Sequence, residues 1–403
     1  MLKTVFDNKT ILNIVGCTFL MTVGRGISLP FLPLYLHHQL QLDTFQTGVT
    51  LTIAMVLGVF LSIPVGRLAD KIERKILSKS VLIIFIGAFV LIGLIKSAIV
   101  FVICFTLINC CYSVYSTLIK CYISDNFIGK KKTELFSLNY TSINMGWVIG
   151  PVTGSLLLSQ NILWSFLLSA VCGMLALAVG AGIFNAGQKA TSFDEEQIVR
   201  QPQRQEFYLL LVFTLAIFLG SFVFGRFDSC ISQILMTETS EQTTAKIISI
   251  ILTMNAITIV LFQYLTGVWV ARLRPAVGFT LGALCLMAGI VLFSISGLNL
   301  YLWAMATVVF TFGEVVFVPL QYSAIDMITT PGNKGLFFSF QNLGGLGGAI
   351  NPVVTGTLLS LFSSEAVYGL LIIISGLCLL TFIAGIRLFD AHRRQNLAAA
   401  KQR

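Results

Sequence analysis

"INMGWVIGPVTGSLL", residues 143–157, sets Gly146, Gly150 and Gly154 at four-residue intervals with Pro151 among them, in a run that is otherwise mostly apolar. Glycine and proline each weaken a water-exposed helix. In lipid they have a use. Residues at i, i+4 and i+8 share one helix face, so the three glycines make a smooth strip on which a second helix can pack backbone to backbone. Pro151 leaves the carbonyl of Trp147 without its usual donor and permits a bend.

The rest of the chain supports a membrane setting. Of 403 residues 56% are hydrophobic and 11% charged, against roughly 25% charged in soluble globular proteins. The apolar material comes in stretches of about 20 to 25 residues, the length a helix needs to cross a bilayer core, and short alternating β-barrel segments are absent. Twelve spans are predicted, at 11–36, 45–66, 77–96, 98–122, 135–159, 162–185, 207–232, 246–270, 276–296, 299–323, 336–361 and 366–388. With no A-x-A-like cleavage site after it, the first span reads as a retained helix. If the N-terminus is cytoplasmic, only Lys96 and Lys246 of the 26 basic residues fall outside, Arg25 and Arg226 fall within spans, and the others lie inside. That distribution follows the positive-inside rule. It accounts for the net charge of +9 without nucleic acid.

"AGQKATSFDEEQIVRQPQRQE", 186–206, is the only long polar run between spans and divides six from six. The halves match each other. "DNFIGKKKTELFSLN" at 125 pairs with "DMITTPGNKGLFFSFQ" at 326, and "GPVTGSLL" at 150 with "NPVVTGTLL" at 351; 326 − 125 and 352 − 151 both give 201. The same offset carries Gly24-Arg25 onto Gly225-Arg226. The expectation is an all-α integral membrane protein, twelve transmembrane helices in two pseudo-symmetric six-helix bundles (1–185 and 207–388), joined by a cytoplasmic linker (186–206) and ending in a basic cytoplasmic tail (389–403). Parallel repeats of this kind suit a transporter in which one half rocks against the other.

The charges inside spans are the energetic oddities. Arg25, Arg226, Asp228 and Glu314 lie in spans 1, 7 and 10, where a charge costs at least ~2.5 kcal/mol and marks a pathway or a pair. Arg25 either meets a substrate carboxylate or neutralises Glu314; Arg226 and Asp228 are too close in sequence to share a helix face, which weakens them as a pair. Span 4 carries Asn109, Tyr112, Ser113 and Ser116 at three- and four-residue spacing, a polar stripe suited to a water-filled cavity or to interhelical hydrogen bonds. Asn139 and Trp147 of span 5 are further cavity candidates. The nine cysteines show no C-x-x-C spacing and read as packing residues; His37, His38 and His392 have no metal-site spacing, and no phosphate-binding G-x-x-x-x-G-K-[ST] loop is present. No cofactor, metal or enzymatic chemistry is expected.

Three motifs together resemble the major facilitator superfamily. "GRLADKIERK", Gly66 to Lys75, resembles its signature loop between spans 2 and 3; "GRGISLPFLPLYL" resembles the P-x-x-P element of its drug/proton antiporters; Gly146 to Gly154 resembles their span 5 motif. The resemblance implies a gate latch centred on Asp70, helped by Gly66 and Arg74. It also implies a seal at Gly146, Gly150, Pro151 and Gly154 between the halves, and a central cavity lined by spans 1, 7 and 10. The second-half loop "GVWVARLRP" lacks the aspartate, so the latch is expected to be asymmetric. The span 4 arginine of the drug antiporters is also missing, with Asn109 near its place. "LINCCYSVYSTLIKCYISDN" and "FSLNYTSINMGWVIGP" look most like a bacterial inner-membrane exporter, which implies proton-coupled, alternating-access efflux of dipeptides and some drugs; a monomer is expected because one chain already contains both halves. Proton-coupled uptake of a sugar, peptide or organic acid is the alternative, and a non-transporting receptor or scaffold the third reading.

Overall fold

The structure, a computed structural model, describes residues 9–42, 44–158, 162–180, 183, 204–330 and 332–401. The regular elements among those residues are all helices, with no strands. Ten of the helices are long and apolar enough to cross a membrane. The two places of the expected twelve that fall short are the fifth and the eleventh, which are repeat mates. Each is nonetheless helical. The fifth, α6 (Lys130–Leu158), opens on three lysines and carries Asn139, Asn144 and Trp147; the eleventh is split at Gly345 into α13 (Lys334–Gly344) and α14 (Leu346–Leu361). Polar and small residues dilute the hydropathy of the fifth, and the break leaves the eleventh in pieces of 11 and 16 residues, each short of a full span. The 186–206 segment falls outside the described residues as far as 203, and the expected tail at 389–403 is, over its described residues 389–401, a continuation of the last helix, α15 (Ser364–Lys401).

The chain forms two compact units. The first holds Met1–Phe127 and Leu138–Arg200, and takes in addition Thr330–Ser339 from the second sequence half. Its spans are α1 (Lys9–Ser28) continued by α2 (Leu32–Leu40), α3 (Thr44–Arg67), α4 (Arg74–Leu94), α5 (Ala98–Asn126), most of α6, and α7 (Ile162–Gly180). Helix α1 packs on α7, α7 on α4, α4 on α5 and α5 on α3.

The second unit holds Gln201–Thr329 and Phe340–Arg403, and takes Ile128–Ser137 from the first half. Its spans are α8 (Arg204–Phe224) continued by α9 (Phe227–Glu238), α10 (Glu241–Val270), α11 (Pro275–Ser294), α12 (Leu300–Ile328), α14 and α15. Helix α8 packs on α15, α15 on α11, α11 on α12 and α12 on α10. Written by span, the orders are 1-6-3-4-2 and 7-12-9-10-8. The second is the first displaced by six, so the duplication read from the sequence recurs in the packing.

Spans 1 and 7 are both broken. In span 1 a 3₁₀ turn at Leu29–Phe31, which contains Pro30 and is followed by Pro33, ends α1 at Ser28 and leaves Arg25 in its last turn. A cation there lies at the negative end of the helix dipole. In span 7 the chain turns at Gly225 and Arg226, and Asp228 sits in the first turn of α9, where the dipole favours a carboxylate. These residues were expected far from any helix end. They border breaks instead, which lowers the cost of their charge.

Candidate functional site

In the first unit, polar side chains of spans 1, 4 and 5 meet. Thr18 donates from Oγ1 to Asn139 Oδ1 at 2.8 Å, and the Thr22 and Tyr112 hydroxyls lie 3.2 Å apart. Thr18, Tyr112, Ser116 and Asn139 line a narrow cleft with Met21 and Ile143. One turn further along α1, Arg25 donates from Nη2 to Asn109 Oδ1 at 2.9 Å, while Asn109 Nδ2 donates to the Phe105 carbonyl at 2.9 Å. That second bond fixes which end of the amide faces the arginine. The Arg25 guanidinium lies over the Tyr112 ring, 4.0 Å from its centroid, with the Trp147 ring 5.9 Å away. Both fall within the ~6 Å reach of a cation–π contact. Ser113 is half-buried on the same stripe.

The glycine strip of α6 meets α1. A Cβ on Gly150 would lie 2.6 Å from Gly26 Cα, one on Gly146 2.6 Å from Thr22 Cβ, and one on Gly154 2.1 Å from the Ile27 carbonyl oxygen; Pro151 Cδ stands 3.2 Å from where a Gly26 Cβ would be. The expected seal ran between the halves, whereas the strip's partner here is span 1 of the same unit. Backbone contact at this face sets how closely Asn139 and Trp147 approach Thr18 and Arg25.

The loop after α3 holds the signature residues. Asp70 is buried and accepts two hydrogen bonds, from Gly335 N at 2.7 Å and Leu336 N at 3.0 Å, in the first turn of α13. Unpaired amides and the helix dipole make that first turn a favourable place for a carboxylate. Gly66 allows the approach, because a Cβ there would fall 1.8 Å from Ser339 Oγ. Arg74 pairs with Asp125 at 2.6 Å, and Lys334 pairs with the other oxygen of Asp125.

The second unit repeats part of this arrangement. Lys132 pairs with Asp326, Thr133 and Ser323 share a hydroxyl hydrogen bond of 2.9 Å, and a Cβ on Gly267 would lie 2.2 Å from Ser137. Asp326 is the repeat mate of Asp125, and Gly267 of Gly66. At the place of Asp70 stands Ala271. In its stead Gln263 donates to Ser137 Oγ at 3.2 Å and to the Val315 carbonyl at 3.2 Å, and Ser137 donates to the Gln263 carbonyl at 2.6 Å.

Glu314 lies on α12, only 7% exposed. Asn255 of α10 donates from Nδ2 to Thr311 Oγ1 at 3.0 Å and reaches Glu314 Oε2 at 3.5 Å. Arg226 is exposed at the break of span 7 and Asp228 half-exposed, and the ion pairs among the described residues do not join them. The break itself is held by Asn351, fully buried, which donates to the Phe222 carbonyl at 2.8 Å. In an unbroken helix that carbonyl would take the Arg226 amide.

Sequence reasoning missed Asn255, Asp125, Asp326, Lys132, Lys334, Thr18, Thr22 and Asn351. For some a signal was present: Asp125 and Asp326 open the repeated segments, each with a lysine seven or eight residues on, and Asn255 is an amide in the interior of span 8.

The chain belongs to the Major Facilitator Superfamily, whose family model matches residues 14–240. It is a secondary transporter that crosses the membrane many times, and not an enzyme. It is 36% identical over 377 residues to YdeE of Escherichia coli (strain K12), described as an uncharacterized MFS-type transporter, covering 93% of this chain and 95% of that one. It is 23% identical to a Na(+), Li(+), K(+)/H(+) antiporter of Planococcus maritimus, over 81% and 83% of the two chains. Among solved structures, the human organic anion transporter MFSD10 superposes with a TM-score of 0.71 at 15% identity, covering 93% of this chain and 99% of that one.

Proposed function

We propose that this transporter exports small molecules, dipeptides and some drugs, across the bacterial inner membrane in exchange for protons, working as a monomer with both termini in the cytoplasm. The observation that carries the reading is Glu314. A carboxylate buried in a membrane helix and reached by the Asn255 amide is a group that can take up and release a proton as its surroundings change. Arg25 supplies the complementary cation for a substrate carboxylate, and the cleft beside it offers hydroxyl and amide groups for a peptide backbone. The relative from Planococcus maritimus, named as an antiporter of alkali cations and protons, adds support for exchange against protons. Asp70, with Gly66 and Arg74, acts as a cytoplasmic latch released in each cycle, and the strip of Gly146, Gly150, Pro151 and Gly154 is the bearing on which span 5 moves.

The test is proton movement in everted vesicles, read with an internal pH dye while dipeptides and then lipophilic cations are added. Collapse of the gradient by dipeptides, lost in Glu314→Gln, is the expected result. Labelled dipeptide that still moves with no proton response, or a Glu314→Gln protein as active as the parent, would remove Glu314 from the coupling step.

A further inference from the structure

The Arg25 guanidinium rests on an aromatic surface that has a chemistry of its own. We propose that the Tyr112 and Trp147 rings form a cation subsite, which Arg25 occupies in this structure and which the cationic group of a bound substrate takes over when Arg25 is drawn away. Three observations lead there. The guanidinium sits 4.0 Å from the Tyr112 centroid and 5.9 Å from that of Trp147, so the two ring faces already hold a positive charge. Trp147 is 37% exposed, so its side chain is not sealed into the packing of the unit. Asn109 accepts from Arg25 Nη2 through a neutral amide oxygen, and that single bond is weaker than the bidentate pair a carboxylate forms.

The order of events follows from relative strengths. A bidentate carboxylate–guanidinium pair is stronger than a cation–π contact, so a carboxylate-bearing substrate pulls Arg25 off the rings. The vacated faces then accept an ammonium or guanidinium group. A simple organic cation has no such lever and must compete with a cation tethered in place. The subsite therefore selects zwitterions, with the anionic end on Arg25 and the cationic end on Tyr112 and Trp147. This extends the peptide reading of the preceding section and rests on it for the identity of the zwitterion.

The experiment is equilibrium binding to the purified full-length transporter in detergent, which needs neither transport nor a proton gradient. Tryptophan fluorescence is read with dialanine and with tetramethylammonium as probes, and Trp147→Phe identifies the responding ring. The parent protein is expected to respond to dialanine and to bind tetramethylammonium weakly. In Arg25→Ala the tetramethylammonium affinity rises by about tenfold, the scale of one desolvated cation–π contact, dialanine binding falls, and Tyr112→Leu in that background abolishes the gain. Arg25→Gln, which keeps an amide donor toward Asn109, gives the same pattern if Arg25→Ala does not fold. Equal tetramethylammonium binding with and without Arg25, or a gain indifferent to Tyr112, overturns the proposal. A tetramethylammonium gain through Tyr112 with no dialanine binding to the parent supports the subsite and removes dipeptides as its ligand.

Discussion

Adding one methyl group to the centre of the α1–α6 contact should be costly, and the geometry gives the scale. A Cβ on Gly150 would stand 2.6 Å from Gly26 Cα, 2.8 Å from Gly26 C and 3.0 Å from Ile27 N, all backbone atoms, whereas ordinary contact begins at 3.4 Å. No rotamer can relieve such a clash. The two helices must separate by about 0.8 Å (3.4 − 2.6), along a face where Gly146 and Gly154 are packed as tightly. Overpacking of this kind costs roughly 1–3 kcal/mol, and the better helix propensity of alanine returns at most about 1 kcal/mol. Gly150→Ala should therefore lower the thermal midpoint of the purified protein in detergent, and widen the gap between Arg25 and the Trp147 ring enough to weaken substrate binding. Gly87 is the control, because a Cβ there would meet nothing within 4 Å. Equal midpoints and equal transport for Gly150→Ala and Gly87→Ala would show that α1 and α6 are not in backbone contact, and the geometry of the arginine site would need another support.

Other perturbations test the remaining contacts. Asp70→Ala leaves the Gly335 and Leu336 amides buried without their acceptor, at about 1–3 kcal/mol for each unsatisfied group; the midpoint should fall clearly, and Asp70→Asn, which keeps one acceptor oxygen, should fall less. Asn351→Ala frees the Phe222 carbonyl at the break of span 7 and should lower the midpoint by a similar single-group amount, with Asn351→Asp intermediate; an unchanged midpoint would mean that the break needs no side-chain support. Asp125→Asn weakens the contacts to Arg74 and Lys334 together, so its effect should equal that of Arg74→Gln combined with Lys334→Gln in a mutant cycle rather than their sum with its own.

How far the sequence carried the fold depended on which signals are linear. Span length, basic asymmetry and the 201-residue offset all lie along the chain, and each led to the bundle pair that the packing orders repeat. The breaks in spans 1 and 7 were harder to see. Pro30 and Pro33 mark the first, but the second depends on Asn351, over a hundred residues away, taking the Phe222 carbonyl. The site divided in the same way. Arg25, Asn109, Tyr112 and Glu314 were visible because a polar or charged residue in lipid is conspicuous. Thr18 and Thr22 were not, since single threonines in an apolar span are ordinary until Asn139 and Tyr112 are placed against them. The glycine strip was read correctly as a close-contact face, yet periodicity cannot name the partner helix, and the partner is α1.

The repeat separates what helix positioning demands from what cargo demands. Contacts that hold helix ends recur in both halves: glycine against serine at Gly66 and Gly267, and lysine with aspartate at Lys334–Asp125 and Lys132–Asp326. The polar groups of the candidate site, Arg25 apart, do not recur. At the 201-residue offset Glu314 corresponds to Ser113, Asn109 to Phe310 and Asn255 to Ala54. Among the embedded charges Arg25 alone keeps its type, and its mate Arg226 stands exposed at a turn, outside the cation–π contacts found among the described residues. A backbone arrangement that both halves need constrains both copies, while an embedded charge costs free energy wherever it stands and is retained only where it has a task. The first unit thus keeps a cation on an aromatic surface and the second a carboxylate beside an amide. A transporter that handles substrate in one half and protons in the other would be built in that way, and exchanging Ser113 for glutamate, with Glu314→Ser in the same chain, should not restore proton coupling, because Asn255 has no counterpart in the first unit.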